Sequence, residues 1–174
     1  MTEQESHGTS SCGKRPLHVG LFLPSGEGMA AGETLRWAEL LAMAQTAEAV
    51  GFDSLWLADH LLMRFSLPDL EDRIIGAWDC WSLLAALAAG TERIALGTLV
   101  SCTGYRNPAL LAKMADTIDE ISGGRLILGL GAGWYEPEYR AFGYPYDHRV
   151  SRFAEALQII VPLLRTGTVD VQGQ

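Results

Sequence analysis

Four short, almost wholly apolar runs punctuate the chain: Leu17–Leu23, Ser54–Ala58, Ile94–Val100 and Leu126–Leu130. Each is followed by a stretch with helical periodicity: Thr34–Val50, Trp78–Ala89, Pro108–Ile121 and about Arg149–Leu164. A strand with one wet face alternates apolar and polar residues. A strand without alternation belongs to a parallel sheet covered on both sides. Strand-then-helix units recurring every ~30–40 residues are βα units. The chain is therefore α/β, either an open doubly wound sheet or part of a (β/α)8 barrel, and the pattern alone does not choose.

The helix ends carry their own signals. Thr34 is placed to cap the first helix with its hydroxyl, and Gly51 to take the left-handed turn after it. Asn107-Pro108 reads as a cap followed by proline where no N–H is needed, and Gly123-Gly124 closes that helix. Asp147 or Ser151 is expected to cap the fourth helix. Pro162 is expected to kink it or end it early.

Composition limits the partners. The 174 residues are enough for one domain with a core. The formal net charge is −8 and no Lys/Arg cluster occurs, which argues against nucleic acid and against an anionic membrane surface. Residues 1–16 are polar, rich in Ser, Gly and Glu, and are expected to be a disordered tail without the apolar segment of a signal peptide. The longest apolar run, Leu83–Ala89, is too short to span a bilayer. Cys12, Cys80 and Cys102 form no CxxC pair, so a reducing, cytoplasmic setting is the simpler expectation. No HxxxH, CxxC or carboxylate cluster suggests a metal site.

The strand ends are more specific. The second strand runs into Ser54-Leu55-Trp56-Leu57-Ala58-Asp59-His60. The third runs Ile94–Ser101 and reaches Tyr105-Arg106-Asn107-Pro108. The fourth runs from Ser122-Gly123-Gly124-Arg125 through Leu126–Leu130 to Gly131-Ala132-Gly133-Trp134, and Phe142-Gly143-Tyr144-Pro145 and Arg149–Phe153 follow. In this order and spacing the segments resemble the luciferase-like monooxygenases, above all their deazaflavin-dependent branch, over Leu17 to about Gly173. The resemblance implies a (β/α)8 barrel of roughly 250 residues or more. We count four of its eight βα units here, the N-terminal half, in a partial barrel domain covering residues 17–174.

In such barrels the strand C-termini and the loops after them form the active site. The resemblance then implies roles for particular residues. His60 faces the reactive edge of cofactor and substrate, where an imidazole can donate or accept a proton. Asp59 orients that ring or binds the cofactor's polar edge. Leu99, Val100 and Ser101 form a bulge that supports one face of a flavin-like ring, with a non-proline cis peptide expected at Leu99-Val100. Gly131, Ala132 and Gly133 let backbone approach the ring closely, and Trp134 and Tyr135 line the pocket. A Rossmann fingerprint at Gly129–Gly133 is disfavoured, because Trp134-Tyr135-Glu136-Pro137 reads as a loop rather than the start of a helix. Arg106, Arg125 and Arg140 read as structural or solvated. Cys102, with no base beside it, is a poor nucleophile. Leu61–Asp79 is a long insertion in which Arg64, Phe65 and Trp78, with Trp81 just beyond, are candidates for a pocket mouth.

The implied function is an oxidoreductase whose cofactor, coenzyme F420 in preference to FMN, carries the redox chemistry toward a small organic substrate. The alternatives are a truncated, non-catalytic half-barrel that self-associates through open sheet edges, an incomplete gene product, and, more remotely, an open nucleotide-binding sheet.

Overall fold

The computed structural model describes residues 17–65 and 73–171; the tail expected over residues 1–16 lies outside the described residues. In chain order the elements are β1 (Gly20–Phe22), α1 (Trp37–Val50), β2 (Ser54–Leu57), β3 (Leu62–Phe65), β4 (Arg73–Gly76), α2 (Cys80–Gly90), β5 (Ala95–Thr98), β6 (Ser101–Cys102), α3 (Pro108–Ser122), β7 (Leu126–Ile127), β8 (Leu130–Gly131), α4 (Glu136–Phe142) and α5 (Arg149–Thr166). Strands β1, β2, β5 and β7 pair in that order, all parallel. These are four consecutive βα units of an open sheet, as the apolar runs require. No described helix is long and apolar enough to cross a membrane.

The two faces of the sheet differ. On the outer face, Leu23, Leu55, Leu57 and Leu96 bury themselves against Ala44 and Ala47 of α1, Leu84 and Leu87 of α2, Leu111 and Ile118 of α3, and Ala156 and Ile160 of α5. On the inner face, one register row, Phe22–Trp56–Gly97–Ile127, crosses all four strands. The indole of Trp56 lies along this row. A Cβ at Gly97 would strike its six-membered ring, and one at Gly20 would fall 2.8 Å from its Cδ1. Two glycines thus make room for one large aromatic. Phe22 and Ile127 at the ends of the row remain 40% and 43% exposed. Burial on both faces, expected from the apolar strands, holds only for the outer one.

The helix ends follow the sequence in most places. Asn107 Oδ1 accepts from the N–H groups of Ala109 and Leu110 at 2.9 and 3.2 Å, and Gly51 and Gly123 take positive φ of 91° and 69°. The first helix departs from expectation. It begins at Trp37, where the Arg36 N–H donates to Glu39 Oε2 at 2.7 Å, while the Thr34 hydroxyl accepts from Gly28 N instead. Neither Asp147 nor Ser151 is the N-cap of α5. His148 holds that position at φ 51°, without a side-chain cap. Nor does Pro162 end α5, which runs on to Thr166 and stops at Gly167, φ 76°. Ile160 and Leu163 on either side of the proline pack on the core, and this packing outweighs the one backbone hydrogen bond a proline removes. Arg125 is structural: its guanidinium donates to the carbonyls of Ala88, Thr91, Ile94 and Ser122 at 2.6–3.0 Å.

The paired glycines yield a prediction. Gly97→Ala should lower unfolding free energy by ~1–3 kcal/mol through overpacking against Trp56, measured by urea denaturation. Adding Trp56→Leu should recover part of that loss. Equal loss in the single and double variants would show that the indole is not what Gly97 accommodates.

Candidate functional site

The C-terminal ends of β2, β5 and β7 lie together. After Thr98 the chain leaves the sheet in a bulge. Leu99 N–H donates to the Leu57 carbonyl at 2.7 Å, the Leu99-Val100 peptide is cis as expected, and Ser101 N–H donates to the Gly129 carbonyl at 2.8 Å. The neighbouring strand breaks in step. β7 stops at Ile127, and β8 resumes at Leu130 to pair with β6, Ser101 opposite Leu130 and Cys102 opposite Gly131. The Thr98 hydroxyl joins the two breaks, donating to the Gly129 carbonyl at 2.6 Å and accepting from Gly129 N–H at 3.0 Å. Glycine is needed here because a Cβ at Gly129 would fall on the Thr98 carbonyl oxygen, and one at Gly131 would lie 2.7 Å from Val100 Cγ2. The result is a ledge on which Leu99 and Val100 are 53% and 44% exposed.

Asp59 holds this ledge from beneath. It is buried, and its carboxylate receives a bidentate pair from Arg106, Nη1 to Oδ2 at 2.6 Å and Nη2 to Oδ1 at 3.0 Å. Oδ2 also accepts from the Ser101 hydroxyl at 2.9 Å and from Cys102 N–H at 3.1 Å. Bidentate arginine–carboxylate pairing fixes both partners in plane. Ser101 in turn accepts from the indole N–H of Trp81 at 3.2 Å.

His60 has a different partner. Its Nδ1 lies 2.9 Å from Oε2 of Glu138, the first long side chain inside α4 to turn fully inward. Glu138 is 0% exposed. Its Oε1 accepts from the N–H groups of Leu61 and Leu62 at 2.7 and 3.1 Å, and its Oε2 also accepts from the Tyr105 hydroxyl at 2.6 Å. Burial pushes the Glu138 pKa up, but the hydrogen bonds from His60, Tyr105 and Leu62 outweigh it and hold the carboxyl below its ordinary value. Burial, then the hydrogen bond to Glu138, pushes the Tyr105 phenol up, so it stays protonated. The His60 ring meets Trp134 edge-on, centroids 5.9 Å apart at 81°, and Trp134 is 66% exposed.

The expected residues therefore divide into two groups. Leu99 and Val100 are exposed on the ledge with Gly131 against Val100, and His60 meets the exposed Trp134. Asp59 and Ser101 are buried, and Ala132 and Gly133 lie against Tyr139. The orienting partner of His60 is Glu138, not Asp59, whose carboxylate is saturated by Arg106 and the bulge. The Ala132 carbonyl accepts from the Tyr139 hydroxyl at 2.9 Å, and a Cβ at Gly133 would run into Tyr139 and Cys102. The Cys102 thiol is buried, lies 3.0 Å from the Tyr139 oxygen, and has its pKa raised by burial. Trp81 is buried in the core, while Trp78 is half-exposed and borders a cavity of about 430 Å³ with Ser25, Glu27 and Arg36; the Phe65 side chain lies outside the described residues. Sequence reading missed Glu138, Tyr105 and Tyr139. It took Trp134–Pro137 for a loop, whereas α4 begins at Glu136. Proline at the second position and Gly143 at the end, φ 74°, were the available signals of a short helix.

Residues 17–174 match the sequence model of the luciferase-like monooxygenases. The chain belongs to the luciferase-like monooxygenase family. It is 33% identical over 140 residues to the 5,10-methylenetetrahydromethanopterin reductase of Archaeoglobus fulgidus, covering 80% of this chain and 38% of that protein. It is 33% identical over 177 residues to the pyrimidine monooxygenase RutA of Pseudomonas savastanoi, covering 91% and 46%. Among solved structures, an F420-dependent secondary alcohol dehydrogenase in complex with an F420-acetone adduct superposes with a TM-score of 0.70 at 26% identity, covering 90% of this chain and 44% of that one. The monooxygenase RslO1 of Streptomyces bottropensis superposes at 0.67 and 25%, covering 84% and 43%. This luciferase-like chain thus spans under half the length of these relatives, and its open sheet is a partial barrel.

The buried pair beneath the ledge is directly testable. Arg106→Ala leaves the Asp59 carboxylate buried without its counter-charge and should cost ~3–5 kcal/mol in urea unfolding. Arg106→Ala with Asp59→Ala should be more stable than Arg106→Ala alone. If the double variant is the weaker of the two, the single-variant loss does not come from an uncompensated charge.

Proposed function

We propose that residues 17–174 form the N-terminal half of an oxidoreductase site that holds the ring of coenzyme F420, with FMN as the alternative, and acts on a small organic substrate. The observation that carries this reading is that consecutive residues serve two devices: Asp59 braces the bulge that exposes Leu99 and Val100, and His60 presents an imidazole whose Nδ1 is anchored on a buried carboxylate.

The residues fit one face of a planar ring. Leu99 and Val100 offer aliphatic surface, Gly131 brings backbone against Val100 without a Cβ between, and Trp134 stands beside His60. Asp59 and Arg106 keep the ledge in place, and Ser101 transmits their hold to the bulge. When bound, such a ring supplies the redox chemistry, hydride transfer for the deazaflavin and oxygen-dependent monooxygenation for reduced FMN. The chain's own part is proton handling. His60 holds one proton at Nδ1 against Glu138 and accepts or returns another at Nε2 as a substrate group changes its protonation. The ledge excludes water from one side of the ring. F420 is preferred because the Ala58-Asp59-His60 and Leu99–Ser101 segments most resemble the deazaflavin branch, and a relative at 26% identity is an F420-dependent alcohol dehydrogenase.

One observation favours an added role in association. The sheet ends in β1 and β7, and Phe22 and Ile127 on these edge strands keep their inner-face side chains exposed. Exposed parallel edges with apolar side chains invite pairing. On this reading, cover comes from a second half-barrel, and size-exclusion chromatography should show a dimer that grows with concentration.

Titration of F420 and of FMN into the purified chain, followed by cofactor fluorescence, tests the main reading. Saturable binding of F420, tighter than FMN, is expected. His60→Ala should lower turnover by ~10²–10⁴-fold while changing F420 affinity far less. No saturable binding of either cofactor would leave the association role standing alone. Equal losses in turnover and affinity would remove proton handling from His60.

A further inference from the structure

We infer that Glu138 is the positioning residue for His60: its carboxylate, held by Tyr105 and by the backbone N–H groups of Leu61 and Leu62, keeps the imidazole proton on Nδ1 and leaves the lone pair on Nε2. This rests on the reading of His60 as the proton-handling group, but it concerns the chain's own residues and needs no cofactor to be observed.

The inference follows from counting donors and acceptors. Four groups surround the Glu138 carboxylate. The Leu61 and Leu62 N–H groups can only donate. The Tyr105 phenol, 2.6 Å from Oε2, is protonated and donates too. An ionised carboxylate accepts and cannot donate. The contact of 2.9 Å between Oε2 and Nδ1 is therefore a hydrogen bond only if Nδ1 carries the hydrogen. A neutral imidazole has one N–H, so Nε2 is then the basic nitrogen. Among the described residues Nε2 has no hydrogen-bond partner, and the side chain keeps 20% of its surface exposed.

Backbone geometry makes the arrangement hard to alter. Leu61 and Leu62 follow His60 directly, so the carboxylate that orients the ring also fixes the chain carrying it. Tyr105 is pinned in turn between Tyr139, 5.1 Å centroid to centroid, and Tyr144, stacked at 5.3 Å. A carboxylate left in this place without its donors would be a buried, unpaired charge. Glu138 therefore acts through His60 and touches no substrate itself.

The test is nitrogen-15 NMR of the histidine rings of the full chain without cofactor. The chain has four histidines, and a His60→Gln sample identifies the ring in question. In the wild type, the directly bonded hydrogen should appear on Nδ1 of neutral His60 and not on Nε2. Glu138→Gln should reverse this. Its amide oxygen must face the fixed Leu61 and Leu62 N–H groups, which turns the amide NH2 toward Tyr105 and Nδ1, so Nδ1 becomes the acceptor and the hydrogen moves to Nε2. Should Glu138→Gln not fold, Tyr105→Phe replaces it, and the hydrogen should stay on Nδ1. A wild-type ring protonated on Nε2, or a folded Glu138→Gln with the hydrogen still on Nδ1, overturns the inference. So does loss of the Nδ1 hydrogen in Tyr105→Phe. Failure of F420 and FMN to bind leaves this result untouched and bears only on the proposed function.

Discussion

The buried carboxylate of Glu138 constrains the rest of the site. Removing an ionised carboxyl from water is costly unless hydrogen bonds replace its hydration. Here the replacements come from two separate parts of the chain, the segment after β2 and the turn that ends at Tyr105, which meet on a carboxylate carried by α4. Neither can drift without leaving charge unsatisfied. Loops that would otherwise be free at the open end of the sheet are thereby held in one arrangement. The imidazole of His60 inherits its direction from that arrangement.

Asp59 performs the matching task one residue earlier. His60 and Asp59 are neighbours in sequence, yet their side chains are committed to different networks. One reaches Glu138, and the other reaches Arg106, Ser101 and Cys102. The first network orients a group that can move a proton. The second fixes the backbone of the ledge, the surface proposed to carry a flat ring. Between them, Tyr139 touches both, its ring edge-on to Tyr105 at 5.1 Å and its hydroxyl beside the Cys102 thiol.

Much of this was legible in the residues, for physical reasons that can be named. Apolar runs without alternation report a parallel sheet, and Asn107-Pro108 and Gly123-Gly124 report helix ends, because these signals are local. The position of the Leu99-Val100 cis peptide came from resemblance rather than from any local rule. The role of Glu138 could not be read, because Glu136 and Glu138 look alike in sequence. One pairs with Arg140 at 2.7 Å on the surface, and the other is wholly buried. Only the placement of α4 against the start of β3 tells them apart. The same limit explains Asp59: adjacency to a histidine suggested a pair, but the long-range contact with Arg106 took precedence. It also explains Phe22 and Ile127, whose apolar character predicted burial that depends on what packs against the inner face.

The proposed function places a planar redox ring on the Val100 ledge with His60 at its edge. A crystal structure of the chain grown with F420 tests it most directly. The account predicts the ring within van der Waals contact of Val100, ~3.5–4.0 Å between heavy atoms, and His60 Nε2 turned toward the space beside it. A ring found against the outer helices, with Val100 and His60 untouched, would contradict it.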